Sequence, residues 1–310
     1  MLGASPDPAP SLLVMVKQLR ALTSGPFGVD LIYADTGFGP ASTRDHIDAC
    51  VQLEVPLVVF HHDPPPADWV RALRKAGVTV WMQASSAEIA SAAVDLGVTG
   101  IVAQGSEAGG HARGEVPLHT LVAMFRHTWP DMLLLAAGGI TDGSTAAAAL
   151  RAGADGVWVG TYLVTALEAN AHPEYQRRLI DSPGNTLRTR AFGPEWPDQP
   201  YRLLATPAAR AAAANSGDPI RRQHNSIGRT RLFPHTLNVP YDLPNRSALP
   251  PTRNTTGDWK SMVYPAGQGV HAVHRIAPAA ELLNDMMSQA YDLLTADRQH
   301  RLTPTTPRGP

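Results

Sequence analysis

The stretch Gly100-Ile101-Val102-Ala103-Gln104-Gly105-Ser106-Glu107-Ala108-Gly109-Gly110-His111 carries an apolar strand directly into a glycine-rich turn that ends in an imidazole. Barrel enzymes keep their chemistry at the carboxyl ends of their strands. Gly109 and Gly110 permit close backbone approach to a ligand or a positive φ, and His111 is the nearby side chain whose ordinary pKa suits proton abstraction near neutral pH. A tight turn with a solvated histidine is the plainer reading of Gly-Gly-His taken alone. The next two strands shift the balance.

Met132-Leu133-Leu134-Leu135-Ala136-Ala137 ends in Gly138-Gly139-Ile140, and Gly156-Val157-Trp158-Val159 ends in Gly160-Thr161. Between them Asp142 to Arg151 reads as a helix stopped by Gly153. The loops after the last two strands of a (β/α)8 barrel often hold phosphate, because free backbone N–H groups and the positive end of a helix favour an anion. Gly138, Gly139, Gly160 and Thr161 suit that use. Close helix-strand packing also needs glycine, yet two successive strands with the same ending, downstream of His111, point to a phosphate-bearing cofactor.

Outward from these strands, helix and strand alternate at a barrel's pace. Leu12 to Leu22 is helical, with apolar residues at 12, 13, 16, 19 and 22. Phe27–Tyr33, Pro56–His61, Thr79–Gln83, Gly100–Gln104, Leu133–Ala137 and Val157–Gly160 read as strands, with Met1–Ala4 as a further remnant. Helices are expected at Thr43–Leu53, Pro66–Ala76, Ser86–Leu96, Val116–His127 and Ser144–Ala152. Near-continuous apolar strands between short helices imply a parallel sheet covered on its outer face. No Gly-x-Gly-x-x-Gly follows an early strand, which argues against an open dinucleotide-binding sheet.

After Thr161 the alternation stops. Helices are expected over Tyr162–Asn170, Glu174–Asp181 and Ala205–Ala214, with a short extended segment at Thr186–Ala191. Asp218 to Gly257, rich in Pro, Asn and Arg, has the profile of a long loop or partly disordered cover. Ala277 to Leu294 regains amphipathic character, with Leu282, Leu283, Met286, Met287, Ala290 and Leu294 on one core-facing stripe. The tail from Thr303 to Pro310 is expected to be disordered.

The strings Pro26-Phe27-Gly28-Val29-Asp30-Leu31, Gln104 to His111, Ala136 to Gly143 and Ala152 to Thr161 resemble the nitronate monooxygenase family, also called 2-nitropropane dioxygenases. The likeness spans residues 11 to 192, and Gln-Gly-x-Glu-Ala-Gly-Gly-His is its specific part. It implies an FMN-dependent TIM-type (β/α)8 barrel over residues 1–192, followed by a mainly helical lid or extension over 193–310. By the same resemblance Asp30, Gln104, Gly109, Gly138, Gly139, Gly160 and Thr161 would contact FMN, and His111 would take the α-proton of a neutral nitroalkane. The resulting nitronate would pass an electron to the flavin and then to dioxygen. Tyr264-Pro265-Ala266-Gly267-Gln268-Gly269 looks like the family's glycine-glutamine element near the active site.

Two departures stand out. Asp30 occupies a position where the family usually has Asn, and a carboxylate accepts hydrogen bonds without donating them unless protonated. The family also opens with a strand ending in Ala-Pro-Met and a helix, which have no counterpart before Met1. The expectation is therefore a barrel lacking its first strand and helix, with unpaired edges that weaken FMN binding or invite homo-oligomerisation.

A net charge of −1 gives no general electrostatic reason to bind nucleic acid or a membrane, and no run of apolar residues approaches a membrane span. The single Cys50 excludes an intramolecular disulfide and a multi-cysteine metal site. A cytoplasmic enzyme acting on a small molecule, with no metal, is expected. In His61-His62-Asp63 at most one imidazole should face the pocket, since successive strand residues point to opposite faces. Glu107 is expected either to pair with Arg113, to orient His111, or to be solvated; His271 and His274 read as surface residues, and Trp69, Trp81 and Trp158 as core or pocket lining. Two other functions fit: an FMN-dependent enoyl-thioester reductase, which would need a nicotinamide donor, and a truncated, catalytically silent barrel protein.

Overall fold

Alternation along each strand decides what the barrel wall presents to its two sides. In the computed structural model, which describes residues 1–4, 7–215, 225–233 and 236–302, seven parallel strands form one curled sheet whose spatial order follows the chain. They are β1 (Leu2–Gly3), β2 (Val29–Tyr33), β3 (Leu57–His62), β4 (Thr79–Ala84), β5 (Gly100–Gln104), β6 (Leu133–Ala137) and β7 (Gly156–Trp158). Val58, Phe60, Val80 and Met82 turn outward into a buried cluster with Leu12, Ile47, Val70 and Leu73 of the covering helices. Val59, Val102 and Ala137, one residue out of phase, fill the interior together with Trp81 and Trp158. Among the described residues no ladder joins β7 back to β1.

Six helices cover the outer face: α1 (Ala9–Leu22), α2 (Arg44–Gln52), α3 (Ala67–Lys75), α4 (Ala87–Asp95), α5 (Leu118–Thr128) and α6 (Gly143–Arg151). Their starts have local causes. Thr43 and His46 form a capping box on α2, and Asp142 accepts from Thr145 N at 2.7 Å to cap α6. Pro8, Pro66 and Pro117 precede α1, α3 and α5. Cys50 is fully buried on α2, and desolvation pushes its thiol up to about 12, so it is a packing residue.

The extension departs from expectation in several places. Thr161–Thr165 forms a 3-10 turn where a longer helix was expected, and Ala166 instead bridges to Ala277. α7 (Pro173–Ile180) and α8 (Pro207–Ala214) follow the expected helices. Thr186–Thr189 pairs antiparallel with Tyr201–Leu204, which in turn pairs with Gly110–His111. The expected long loop contains a three-stranded sheet: Ser226–Leu232 pairs with Val239–Pro244 and with Thr256–Gly257. Its low apolar content hid it, because these strands are held by backbone ladders and by polar pairs such as Arg229 with Asp242. Residues 218–224 and 234–235 of that expected loop, and the tail 303–310, lie outside the described residues.

The last helix, α9 (Ala279–Leu302), lies along α6. It buries Leu282, Met286 and Ala290 completely or nearly so, while Leu283 and Met287 are 37% and 43% exposed. The core-facing stripe is thus narrower than the sequence suggested, because spacing by four fixes the buried row and neighbours one position on turn out of it. The approach of the two helices needs the glycine at the start of α6: a Cβ on Gly143 would sit 2.3 Å from Gln289 Cβ and 2.8 Å from Ala290 N. Gly143→Leu should overpack this contact at a cost of about 1–3 kcal/mol, seen as a lower Tm in thermal unfolding. An unchanged Tm would show that α9 is not docked so tightly.

Candidate active site

The inward phase of the strands turns polar at the carboxyl mouth. Asp30 of β2, His61 of β3, Gln83 of β4 and Gln104 of β5 continue the same alternation that places Val59 and Val102 in the interior below them. They open into a cleft with two lobes. One, of about 200 Å³, is lined by Asp30, Ile32, His61, His62, Gln83, Ser85, Gln104, His111, Arg113 and Trp196. The other, of about 180 Å³, is lined by Gln83, Gln104, Ala108, Gly109, Ala137, Gly138, Gly139, Ile140, Thr141, Trp158, Gly160, Thr161 and Gly267. Gln83 and Gln104 belong to both.

His111 does not sit on a free turn. Gly110 takes a φ of +75°, and Gly110–His111 then forms a short strand in register with Arg202 and Tyr201. The His111 ring packs against both Tyr201 and Trp196, with each centroid 4.4 Å away. Its Nε2 is buried and has no hydrogen-bond partner among the described residues. Burial, followed by the charge of His62, pulls its pKa down from 6.5 to about 4. The near-neutral value expected from the residue type therefore does not hold: the ring is neutral at pH 7, with its lone pair free, but it is a weak base.

Asp30 has an imidazole beside it. His61 Nε2 lies 2.9 Å from Asp30 Oδ2, in contact but without the alignment of a hydrogen bond. Both imidazoles of the His61-His62 pair line the lobe, contrary to strict alternation. His62 ends β3 at a φ of +79°, which turns its side chain away from the position regular strand geometry would give. His62 Nδ1 lies 3.2 Å from Asp63 and its Nε2 3.1 Å from Gln199. Arg113 pairs with Asp63 rather than with Glu107. Burial raises the Asp63 pKa, but Arg113 and His62 more than offset this and hold the carboxyl below its usual range. Glu107 neither pairs with Arg113 nor orients His111: both its carboxylate oxygens accept from Leu118 N, at 3.1 and 3.0 Å, at the start of α5.

The second lobe is built from backbone. Gly138 and Gly139 have φ of +108° and +71°, the left-handed region that favours glycine. Gly109 is pressed against the 264–269 segment, where a Cβ would fall 2.4 Å from Gly267 N. That segment is pinned by Gly267 N donating to Thr161 Oγ1 at 3.0 Å, Gln268 N to Glu107 O at 2.9 Å, and Thr141 Oγ1 to Gly269 O at 2.7 Å. Gly160 differs from the others, since a Cβ there meets nothing within 4 Å. The lobe is a cradle of strand-end glycines with room beyond Gly160, which fits a phosphate-bearing group.

Gln104, Gly109, Gly138, Gly139, Gly160 and Thr161 thus come together on one lobe, while Asp30 and His111 line the other. Sequence reading missed Gln83, Ser85, Arg113 and Trp196 as lining residues. Gln83 was accessible from alternation, two residues beyond inward-facing Trp81; Trp196 reaches the lobe through tertiary folding alone. Trp69 is core and Trp158 lines the glycine lobe. His271 and His274 are exposed. Among the described residues no cluster of three metal-ligating side chains is present, and no helix is long and apolar enough to cross a membrane.

A curled parallel barrel with a glycine cradle at its strand ends and a buried histidine beside it defines the class of molecule. The nitronate monooxygenase family model matches residues 4–289, and the chain belongs to that family. A protein of Staphylococcus aureus described as a probable nitronate monooxygenase is 30% identical over 56% of this chain and 57% of its own length. The chain thus spans little more than half the length of that curated relative. Among solved structures, FabK from Thermotoga maritima superposes with a TM-score of 0.76 at 25% identity, covering 96% of this chain and 86% of that one. A nitroalkane oxidase from Streptomyces ansochromogenes gives 0.75 at 25% identity, covering 95% and 89%.

The His111 environment has a consequence for stability. The unfolded chain protonates this imidazole near 6.5 and the folded chain only near 4, so between these values the unfolded state binds more protons and stability falls as the pH drops. In urea unfolding between pH 7 and pH 4, the wild type should lose on the order of 1–3 kcal/mol more than His111→Gln. Parallel losses in the two proteins would mean that His111 is not buried as described.

Proposed function

We propose that this protein oxidises nitroalkanes or alkyl nitronates with FMN and dioxygen, and that His111 is its base. Membership of the family supports the reaction class, as does the likeness to a nitroalkane oxidase. The observation that carries the role of His111 is its ring, which packs against Tyr201 and Trp196, lines the lobe next to the glycine cradle, and has a buried Nε2 with no partner among the described residues. In this reading Gly138, Gly139, Gly160 and Thr161 hold the phosphate, and Gln104 and Gly109 border the ring system. Asp30, paired to His61, faces the substrate side.

The α-carbon of a nitroalkane is acidic because the electron pair left by the departing proton moves onto the nitro oxygens. His111 Nε2 takes that proton, the C–H bond breaks, and the products are an imidazolium and a nitronate. Electron transfer from the nitronate and its passage to dioxygen is the chemistry that FMN supplies when bound. Because the imidazole is held neutral but weakly basic, proton removal is uphill, and a substrate supplied as the nitronate bypasses that step. Tyr201 and Trp196 keep water from the ring and fix its orientation.

Two measurements test this reading. His111→Asn should lower turnover of neutral nitroalkanes by roughly two orders of magnitude, the usual scale for losing a general base, while oxidation of pre-formed nitronate falls much less. Equal loss on both substrates would remove His111 from the role of base. For the cradle, Gly160→Leu is a cleaner probe than Gly139→Leu. Gly160 has a φ of −114° and open space at its Cβ position, whereas Gly139 has a φ of +71° and would place a Cβ 2.9 Å from Glu107 Cβ. Gly160→Leu should keep its Tm and lose most bound flavin, read as the ratio of flavin to protein absorbance after gel filtration. Unchanged loading would put the phosphate elsewhere, and rapid bleaching of the flavin by NADH or NADPH would favour the enoyl-thioester reductase.

A further inference from the structure

We propose that Trp196 forms a subsite for one oxygen of a nitro or nitronate group in the His111 lobe, with its indole N–H as the donor. The proposal rests on reading this lobe as the substrate chamber. Trp196 lines the lobe, and its Nε1 is buried without a hydrogen-bond partner among the described residues. An indole nitrogen can only donate. A buried donor left unpaired is disfavoured in a folded chain, so its retention on the wall of a cleft is explained when a ligand oxygen completes it.

The indole is held firmly, as a preorganised donor must be. Its ring centroid lies 4.4 Å from that of His111 and 4.8 Å from that of His62. Trp196 N donates to Gly193 O at 3.0 Å. The preceding residue, Glu195, is 4% exposed, and its carboxylate accepts from Ser247 Oγ at 2.6 Å, Ala248 N at 2.8 Å and Tyr241 OH at 3.2 Å. That anchor fixes the segment carrying the ring, so the N–H cannot swing to another acceptor.

Several charged or ionisable groups of the lobe already face one another. Asp30 is against His61, Arg113 is with Asp63, and His62 is between Asp63 and Gln199. The N–H of Trp196 is thus a neutral donor in a lobe whose charges are paired. A neutral nitro oxygen is a weak acceptor, and it strengthens as charge moves onto it. The donor therefore favours the nitronate over the nitroalkane, on the same wall as the base.

The test uses nitrate, a planar oxyanion with the outline of a nitro group, titrated calorimetrically into the flavin-loaded protein. Trp196→Phe keeps an aromatic ring in the stack and removes the N–H. Nitrate should bind the wild type and weaken about tenfold in Trp196→Phe, with kcat/KM for nitronate falling by a similar factor, as expected for a hydrogen bond to a charged acceptor. Flavin content and the pH dependence of turnover should not move, and Tm should hold or rise, because the lost N–H had no internal partner. If Phe fills the gap badly and Tm drops, benzothienylalanine at position 196 supplies the same ring size without the N–H. Equal nitrate affinity with and without the N–H, or no nitrate binding by the wild type, overturns the subsite. A wild type that binds nitrate through Trp196 but oxidises no nitro compound keeps the subsite and overturns the oxidase reading.

Discussion

Two residues of backbone pairing join the turn that carries His111 to the extension. Gly110–His111 leaves the mouth of β5 and is captured in register by Tyr201–Arg202 of the extension. The capture depends on the positive φ of Gly110, which a side chain at that position would strain. It places the His111 ring against Tyr201, with Trp196 also 4.4 Å away, and the imidazole is largely removed from water. The depressed pKa follows from that burial. Without the pairing, Gly-Gly-His would be a solvated loop with an ordinary histidine.

The electrostatics of the cleft follow a second rule, that charge entering a partly buried site comes with its counter-charge. The Asp30 carboxylate has the His61 imidazole 2.9 Å away. Asp63 is matched by Arg113 at the mouth. The glycine lobe, in contrast, is lined by backbone and neutral side chains. An anionic group there would meet dipoles and hydrogen-bond donors rather than a counter-ion, which is the usual arrangement at a strand-end phosphate site.

Much of this was legible from residue order. Period-two alternation separated Phe60 and Met82, which face the helices, from Val59 and Val102, which fill the interior. The glycine endings of β6 and β7 placed Gly138, Gly139 and Gly160 at one end of the barrel, and they do line one lobe. Less was legible beyond Thr161. The hairpin of Ser226–Leu232 with Val239–Pro244 has a polar outer face and gains its order from a ladder with residues that no local pattern reveals.

What the sequence determined by itself is what depends on neighbours along the chain: strand and helix placement, the inward or outward phase of each strand residue, and the glycines that allow unusual φ. Local sterics and periodicity act over a few residues, so they can be read without knowing the fold. Tertiary structure alone decided the chemistry of the imidazoles. Whether His111 is solvated or buried, whether His61 balances Asp30, and whether an indole from position 196 reaches the cleft are matters of contact between residues far apart in the chain. Desolvation and Coulomb interaction act through space, and no spacing in the chain encodes those distances.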